Sequence, residues 1–351
     1  MNHTETQNLS ENRYARQVRF DPIGVDGQSQ ISQSTVAILG CGALGSVVAE
    51  ILARSGVGRL RIIDRDYVEW TNLQRQALFD ENDAKLGRAK SEAACERLKA
   101  INSEIKAEPF VADITAENID RHLQGSNLII DAADNFSIRF LLNDWSLKTK
   151  TAWVHGGCVG AMGQVRLFSG FGTPCFRCLV PHPPPASSVA TCDTAGVVGA
   201  ATHAIASLQA VEALKWLSGN RSAIHESVWS VDFWKNRFRE LSIDRLPSQS
   251  CRACGEHHYD FLEGHHASAG ATMTLCGRSA VQITPSTSVA VELDQMASRW
   301  QGQGDVQQTR FFVRLTTSTL RLTLFRDGRA VIDGTEQTGQ ARAFYDRLVG
   351  S

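Results

Sequence analysis

A glycine-rich hexapeptide, GCGALG at 40–45, is the first segment whose residue types and spacing could do chemistry. Its glycines, Gly40, Gly42 and Gly45, follow an apolar run and precede apolar residues at helical spacing. Such a turn brings backbone N–H groups and the positive end of a helix to a phosphate. Asp64 lies 19 residues beyond Gly45, where a carboxylate can hold ribose hydroxyls. The pattern predicts an adenine-nucleotide site and leaves a dinucleotide dehydrogenase as an alternative.

A polar cluster, TNLQRQ at 71–76, separates these alternatives. A dehydrogenase has no need of Asn72, Arg75 and Gln76 directly after its ribose carboxylate. Arginine is a bidentate phosphate donor, and Lys90 at the start of the next predicted helix adds a point charge. Asp134, at a predicted strand end, could hold Mg²⁺ together with phosphate oxygens and water. The set predicts an ATP whose α-phosphate is attacked by a carboxylate.

Two Cys-x-x-Cys pairs, Cys175 with Cys178 and Cys251 with Cys254, can supply the four thiolates of a tetrahedral zinc site. The pairs lie 73 residues apart, so the site would join distant segments rather than fold a small finger. Cys192 differs because it precedes a predicted helix, where a thiol tends toward the reactive thiolate. The sequence predicts structural zinc and leaves a covalent role of Cys192 open.

The elements that must position these residues alternate between buried strands and amphipathic helices. This order is typical of a doubly wound, mostly parallel (Rossmann-like) α/β sheet. Residues 13–34 are expected to form a helical arm, from which Arg13 and Arg16 could add charge. The predicted strands are 35–40, 59–66, 106–113 and 127–134, and the predicted helices are 43–56, 89–102 and 197–219.

The pattern changes near the C-terminus. Residues 264–272 are typical of a linker, and 272–351 predict a small α+β accessory domain with a hairpin at the Asp327-Gly328 pair. We expect a disordered segment at 1–12 and an ATP-binding adenylyltransferase domain with the zinc site at 13–264. The C-terminal region lacks a recognisable catalytic motif, and its role stays open.

The composition of the chain argues against two classes of binding partner. The chain has 351 residues, 42% of them hydrophobic, and a net charge of −1, which gives no broad electrostatic basis for binding nucleic acid or an anionic membrane. It contains no apolar run of the ~18–20 residues that a membrane span needs. The polar N-terminus lacks the apolar core of a signal peptide. A cytoplasmic protein is expected.

Taken together, eight segments resemble the ThiF/MoeB/HesA family, the bacterial relatives of ubiquitin-activating enzymes. The resemblance spans roughly residues 13–262 in the same order. It implies ATP-dependent adenylylation of the C-terminal glycine of a ubiquitin-like sulfur-carrier protein of the ThiS or MoaD type. The segments are RYARQ (13–17), GCGALG (40–45), IIDRD (62–66), TNLQRQ (71–76), GRAK (87–90), DAADN (131–135), CFRC (175–178) and TCDTAGVVG (191–199).

The resemblance also implies roles. Asp64 would bind ribose, the phosphates would be bound by Asn72, Arg75, Gln76 and Lys90, and Asp134 would bind Mg²⁺. Arg16 would reach the partner's ATP in a homodimer, and Ala43 stands where the family often has glycine. The implied nucleotide-binding set is Gly40, Gly42, Ala43, Leu44, Gly45, Asp64, Asp66, Thr71, Asn72, Leu73, Gln74, Arg75, Lys90, Asp134 and Asn135.

The fate of the acyl-adenylate stays open. Thiocarboxylate formation would need a sulfur donor, a cysteine desulfurase or a rhodanese, and Cys192 resembles the cysteine that ThiF-type members use for an acyl-disulfide. The same cysteine occurs in MoeB-type members, where it is dispensable, so it does not fix thiamine, molybdopterin or another pathway. The alternatives are a bacterial ubiquitin-like conjugation system with a Cys192 thioester and a non-catalytic binding module. Intact Arg75, Lys90 and Asp134 argue against the module.

Overall fold

The computed structural model describes residues 13–172, 174–184, 195–243, 250–264, 272–275, 279–285 and 290–350. The chain divides into two compact units at residues 265 and 266, and each unit has its own hydrophobic core. The predicted disordered segment 1–12 and nearly all of the predicted linker lie outside the described residues. In the ranges given, no helix combines the length and the apolar character that crossing a membrane requires.

The first unit is built on an eight-stranded sheet of order β3-β2-β1-β4-β5-β6-β7-β8. The first five strands pair in parallel, and the last three extend the sheet in antiparallel fashion. The predicted doubly wound, mostly parallel fold is therefore confirmed. The strands are β1 (Thr35–Leu39), β2 (Arg59–Asp64), β3 (Lys106–Val111), β4 (Leu128–Asp131), β5 (Trp153–Val159), β6 (Met162–Phe168), β7 (Val228–Asp232) and β8 (Arg237–Leu241).

Helices cover both faces of the parallel strands, as strands with no polar face require. In β1, Val36 and Ile38 belong to one core, and Ala37 and Leu39 belong to the other. The helices are α1 (Ala15–Val18), α2 (Gly24–Gln33), α3 (Gly45–Arg54), α4 (Glu81–Leu86), α5 (Lys90–Ile101), α6 (Ile119–Leu123), α7 (Phe136–Thr149), α8 (Phe176–Leu179) and α9 (Gly199–Leu217).

The strand order reverses between β1 and β4, whose neighbours on either side are β2 and β5. In open α/β sheets, ligands bind outside the carboxyl ends of the strands at such a reversal. The segments that leave these ends are the glycine loop after β1, residues 65–76 after β2 and residues 132–135 after β4. All three carry predicted site residues, and we call this region the carboxyl edge.

The second unit is a six-stranded antiparallel sheet with two helices, the α+β arrangement that the sequence predicts. Trp300 and Phe344 join the sheet's apolar residues in one core, and Asp327-Gly328 lies in the β13–β14 connection. The strands and helices are β9 (Thr272–Leu275), β10 (Ala280–Ile283), α10 (Leu293–Trp300), β11 (Asp305–Gln308), β12 (Phe312–Thr316), β13 (Arg321–Phe325), β14 (Ala330–Asp333) and α11 (Thr338–Leu348).

Candidate active site

The glycine loop is folded so tightly that side chains are excluded at two positions. A Cβ on Gly45, the first residue of α3, would lie 1.9 Å from the carbonyl oxygen of Gly40. Gly40 itself has φ +87°, and a Cβ there would lie 2.6 Å from the carbonyl oxygen of Ala132, beyond the end of β4. Only glycine meets both demands without strain. The loop thus presents the N-terminus of α3 at the carboxyl edge.

Asp64, at the end of β2, is bonded to the glycine loop. Its Oδ2 accepts the Cys41 N–H at 2.6 Å, and its Oδ1 accepts the Asp66 N–H at 2.7 Å. Burial raises the pKa of the Asp64 carboxyl, although Lys90 opposes the rise. Lys90 begins α5, is almost fully buried, and places its Nζ 3.5 Å from Asp66 Oδ2. The carboxylate and the ammonium therefore lie together beside the loop.

The polar cluster packs against the same loop. Asn72 is buried, and its Oδ1 accepts the Glu69 N–H at 3.0 Å, which closes the 3₁₀ turn Trp70–Asn72. Gln76 is also buried, and its Nε2 lies 3.8 Å from the place of a Cβ on Gly42. Its Oε1 is buried without a hydrogen-bond partner in the described part of the chain. A buried polar atom without a partner, on a side chain whose amide lies beside the loop, fits a site built for a polar ligand.

The rest of the cluster is less enclosed. Arg75 is half-buried, and its Nη1 donates to the Thr71 carbonyl at 2.6 Å, so the guanidinium rests on its own turn. Leu73 packs against the core, while Gln74 is exposed. A Cβ on Gly199 would lie 2.8 Å from the Gln74 carbonyl oxygen, so the start of α9 abuts the cluster. The structure brings this segment, the glycine loop and α9 together.

Asp134 is an exposed carboxylate just beyond β4, next to Asn135, whose side chain caps α7. Burial would lower the pKa of the nearby Arg65, but Asp113, Asp66 and Asp134 raise it further than burial lowers it. The carboxylates that follow β2 and β4 therefore act on the same guanidinium. An exposed carboxylate at this edge suits Mg²⁺, which binds through one or two carboxylates, phosphate oxygens and water.

Behind Asp134 lies a buried polar cluster that the sequence did not predict. Asp131, the last residue of β4, is fully buried, and its Oδ2 accepts from Arg139 Nε at 3.1 Å and from His155 Nδ1 at 2.8 Å. Burial lowers the pKa of His155, so the ring is neutral, with its proton on Nδ1. The acid at the end of the fourth strand, in DAADN, was the available signal. Its partners come from α7 and β5.

Arg16 is not at this site in a single copy of the chain. Gln17 Nε2 donates to the Ser55 carbonyl at 3.0 Å, and a Cβ on Gly56 would lie 2.5 Å from the Tyr14 ring. The arm therefore packs on the C-terminal end of α3, about 15 Å along that helix from the glycine loop. Arg16 is exposed there. A single copy of the chain therefore does not bring Arg16 to the glycine loop.

The four cysteines of the two pairs converge. Their Sγ atoms lie within 4.8 Å of one another, with Cys175 3.9 Å from Cys178 and 3.7 Å from Cys251, and with Cys178 3.5 Å from Cys254. A tetrahedron of thiolates about 2.3 Å from zinc has sulfur atoms about 3.8 Å apart. The cluster therefore allows a metal site of the size that zinc requires. Cys192 lies outside the described residues.

A buried arginine links the segments that carry the two Cys-x-x-Cys pairs, which we call the knuckles, beside the sulfur cluster. Arg177 lies 3.1 Å from Asp260 and 3.6 Å from Asp144, and Arg252 also pairs with Asp260 at 3.2 Å. Asp144 also accepts the Phe261 N–H at 3.0 Å, which joins α7 to the second knuckle. The knuckles are therefore held by ion pairs as well as by the geometry of the thiols.

A family model described as the ThiF family matches residues 14–253. A "Sulfur carrier protein ThiS adenylyltransferase" from Bacillus subtilis (strain 168) is 38% identical over 339 residues, which cover 96% of this chain and 99% of that protein. A "Sulfur carrier protein adenylyltransferase" from Thermus thermophilus is 36% identical over 70% of this chain and 90% of that protein. The likeness to the Bacillus protein extends through the second unit.

Two further comparisons are narrower. An "Adenylyltransferase and sulfurtransferase MOCS3" from Aedes aegypti is 36% identical over 70% of this chain, which spans about half, 55%, of that relative's length. The crystal structure of E. coli MccB with ATP superposes with a TM-score of 0.61 and 24% identity, over 70% of this chain and 75% of that chain. At that identity the likeness shows a shared fold alone.

Proposed function

The chain belongs to the ThiF family, and on that premise we propose that it adenylylates the C-terminal glycine of a ubiquitin-like sulfur-carrier protein with ATP. The observation that carries the proposal is the convergence of Asp64, Lys90 and Gln76 on the glycine loop. The 38% identity to a ThiS adenylyltransferase over nearly the full length of both chains supports the choice of substrate.

The reaction requires that the negative charge of the phosphates be balanced while a second anion approaches. A carboxylate oxygen of the carrier's terminal glycine attacks the α-phosphorus, the bond to the bridging oxygen breaks, and pyrophosphate leaves with that electron pair. Lys90 and Arg75 would neutralise the crowded phosphate oxygens, and Asp64 would hold the ribose. Asp134 would hold Mg²⁺, which offsets the charge of the polyphosphate. The protein mainly positions the reactants, because little covalent chemistry falls to it.

Two finer assignments belong to the same proposal. The distance of Arg16 from the glycine loop supports a homodimer in which the arm of one copy completes the site of the other. The compact sulfur cluster supports structural Zn²⁺ held by the four cysteines of the two knuckles. Thiocarboxylate formation would then draw sulfur from a separate donor protein, with or without Cys192.

The test is ATP–pyrophosphate exchange with purified chain and candidate carrier proteins that end in Gly-Gly. We expect exchange with one carrier, and none when its last glycine is deleted, because the attacking carboxylate is then displaced by one residue. The Lys90→Ala variant with the same carrier serves as the second control. ATP binding without exchange for any Gly-Gly carrier would instead support the non-catalytic binding module.

A further inference from the structure

The buried cluster around Asp131 does more than satisfy a buried charge. Asp131 lies three residues before Asp134, and its Oδ1 accepts the Ala133 N–H at 3.1 Å. Arg139 bonds Asp131 through Nε and donates from Nη2 to the Ala133 carbonyl at 2.8 Å. Both backbone polar groups of Ala133 are thus held by the same ion pair. The peptide that leads directly into Asp134 has little freedom to turn.

Ala132, the residue that precedes Ala133, is also held in place. The Ala132 N–H donates to the Leu39 carbonyl at 2.9 Å, and the Ala132 carbonyl oxygen lies 2.6 Å from the place of a Cβ on Gly40. After Asp134, Asn135 caps α7 by accepting the Ile138 N–H at 3.1 Å. The loop 132–135 is therefore held on both sides of Asp134, while the Asp134 carboxylate itself stays exposed.

A glutamine from α9 supports the cluster from the other side of the sheet. Gln209 is fully buried, and its Nε2 donates to the carbonyls of Asp131 at 2.8 Å and Val154 at 3.3 Å. A Cβ on Gly156 would lie 2.1 Å from the Gln209 side chain, so glycine in β5 is what lets it pass. The amide joins Asp131, the last residue of β4, to Val154 of the neighbouring strand β5 at the point where the loop begins.

The energetics make this arrangement sensitive to its parts. A buried ion pair is stable only when its hydrogen bonds are complete, and removing one partner leaves a costly buried charge. Arg139 is suited to the task because its planar fork can serve a carboxylate and a carbonyl at once, which a lysine ammonium on a flexible stem does less well. We therefore expect the pair of Arg139 and Asp131 to favour one conformation of the loop more than it raises the free energy of unfolding.

We propose that Arg139, with Asp131 and His155, is a positioning device that fixes the backbone of 132–135 so that Asp134 presents its carboxylate in one place. The inference rests on the proposed function, because it takes the Mg²⁺ of ATP as the ligand of Asp134. Partners that orient a metal ligand from behind change metal affinity by roughly 10- to 100-fold when they are lost. The device acts on metal binding rather than on the bond-making step.

The test compares Arg139→Lys with the wild type and with Arg61→Lys. Arg61 is a matched control because it also donates to two backbone carbonyls of the first unit, those of His122 and Gln124, away from the carboxyl edge. Two properties are measured: amide hydrogen exchange of residues 131–136 in the ligand-free chain, and Mn²⁺ affinity by electron paramagnetic resonance in the presence of a non-hydrolysable ATP analogue.

We expect Arg139→Lys to speed exchange in 131–136 and to weaken Mn²⁺ binding about tenfold, with neither change in Arg61→Lys. In ATP–pyrophosphate exchange the Mg²⁺ requirement should rise by a similar factor, while the rate at saturating Mg²⁺ stays within about twofold of the wild type. Unchanged hydrogen exchange, or a lowered rate at every Mg²⁺ concentration with unchanged Mn²⁺ affinity, would overturn the proposal.

A second pair of variants covers the case in which Arg139→Lys does not fold. His155→Leu removes one hydrogen bond from Asp131, and His155→Asn keeps a donor near the place of Nδ1. We expect a smaller loss of Mn²⁺ affinity in the first variant and recovery in the second; equal losses would contradict the positioning role. If the wild type shows no exchange with any carrier, the proposed function fails, whereas the hydrogen-exchange result still decides whether Arg139 holds the loop.

Discussion

In the first unit, charged side chains gather where parallel strands end, whereas in the second unit they lie within an antiparallel sheet. Asp134 is exposed beyond β4, free to meet a ligand. In the second unit, Arg314 Nε donates to Thr323 Oγ1 at 3.1 Å across paired strands, and Arg329 lies with its guanidinium 3.8 Å from the centre of the Phe325 ring. These arginines are buried and engaged by their own sheet.

The difference follows from strand direction. Parallel strands all end at one edge, so the segments that leave them bring distant polar residues together at low cost to the core. Antiparallel strands joined by short turns distribute their ends over two edges, and their polar residues pair across strands instead. Charge should therefore serve activity in the first unit and stability in the second. Four predictions test this contrast, from the largest expected effect to the smallest.

The sulfur cluster should give the largest effect and would show that the first unit also contains purely structural polar groups. We expect about one zinc ion per chain by metal analysis and its loss in Cys178→Ser, since structural zinc sites contribute ~10–16 kcal/mol in small peptides. Thermal unfolding should shift down strongly in this variant. Cys158→Ser, a half-buried cysteine outside the cluster, is the control and should keep both zinc and stability. Active wild-type protein without zinc would defeat this prediction.

Lys90→Ala should abolish activity while leaving a folded chain. The ammonium is the buried positive charge beside Asp64 and Asp66, and loss of one such electrostatic contact in a transition state costs about 10²–10³-fold in rate. The measurement is ATP–pyrophosphate exchange, with circular dichroism to verify folding. A variant that exchanges within tenfold of the wild type would place the phosphate-binding charge elsewhere.

Arg329→Ala should show the opposite behaviour in the second unit. The side chain is 1% exposed, and its removal leaves a cavity beside Phe325, so we expect a loss of about 2–3 kcal/mol in the free energy of unfolding. Adenylylation at a temperature where the variant is folded should be unchanged. Arg347→Ala, an exposed arginine 5.0 Å from the Phe344 ring, is the matched control and should unfold like the wild type. Lost activity in a stable Arg329→Ala chain would break the contrast.

The carboxyl edge was predictable where its signals are local in sequence. The spacing of Gly40, Gly42 and Gly45 and the place of Asp64 follow from one strand–turn–helix–strand unit, and backbone sterics at Gly40 and Gly45 leave little choice. The convergence of the four cysteines was predictable for a related reason, because two Cys-x-x-Cys pairs supply the four ligands of a tetrahedral metal site. Each of these inferences needs residue types and spacing, not the details of packing.

The remaining features depend on long-range pairing, which residue types do not reveal. Asp131 lies beside His155 because β4 and β5 pair in that register. The residue types around these two positions do not predict this register. The hairpin of β7 and β8 falls in a stretch without a predicted element, although Asn236, with φ +51°, sits at its turn. All five residues of β8 are exposed, so the segment lacks the alternation of apolar and polar residues that would predict a strand.

The smallest expected effect concerns His155 and would show that the carboxyl edge has a buried support of its own. Burial lowers the pKa of His155, the hydrogen bond to Asp131 opposes this, and Arg139 lowers it further; Arg166, its cross-strand partner on β6, is the other charged neighbour. At a pH below the pKa of histidine in the unfolded chain, about 6.5, the unfolded chain therefore binds a proton more readily than the folded chain does. Stability from this group is complete above that pH and is lost as the pH falls through the lower, folded pKa.

In urea unfolding, the free energy of unfolding of the wild type should fall further than that of His155→Asn between pH 7 and pH 5, because asparagine does not titrate. His182→Asn replaces an exposed histidine and should follow the wild type. Parallel curves for the wild type and His155→Asn would mean that the folded chain binds the proton as readily as the unfolded chain, so that the ring is charged in the folded chain at pH 5. The cluster behind Asp134 would then hold a second positive charge, beside that of Arg139, against the single carboxylate of Asp131, and its role as a support without net charge would have to be abandoned.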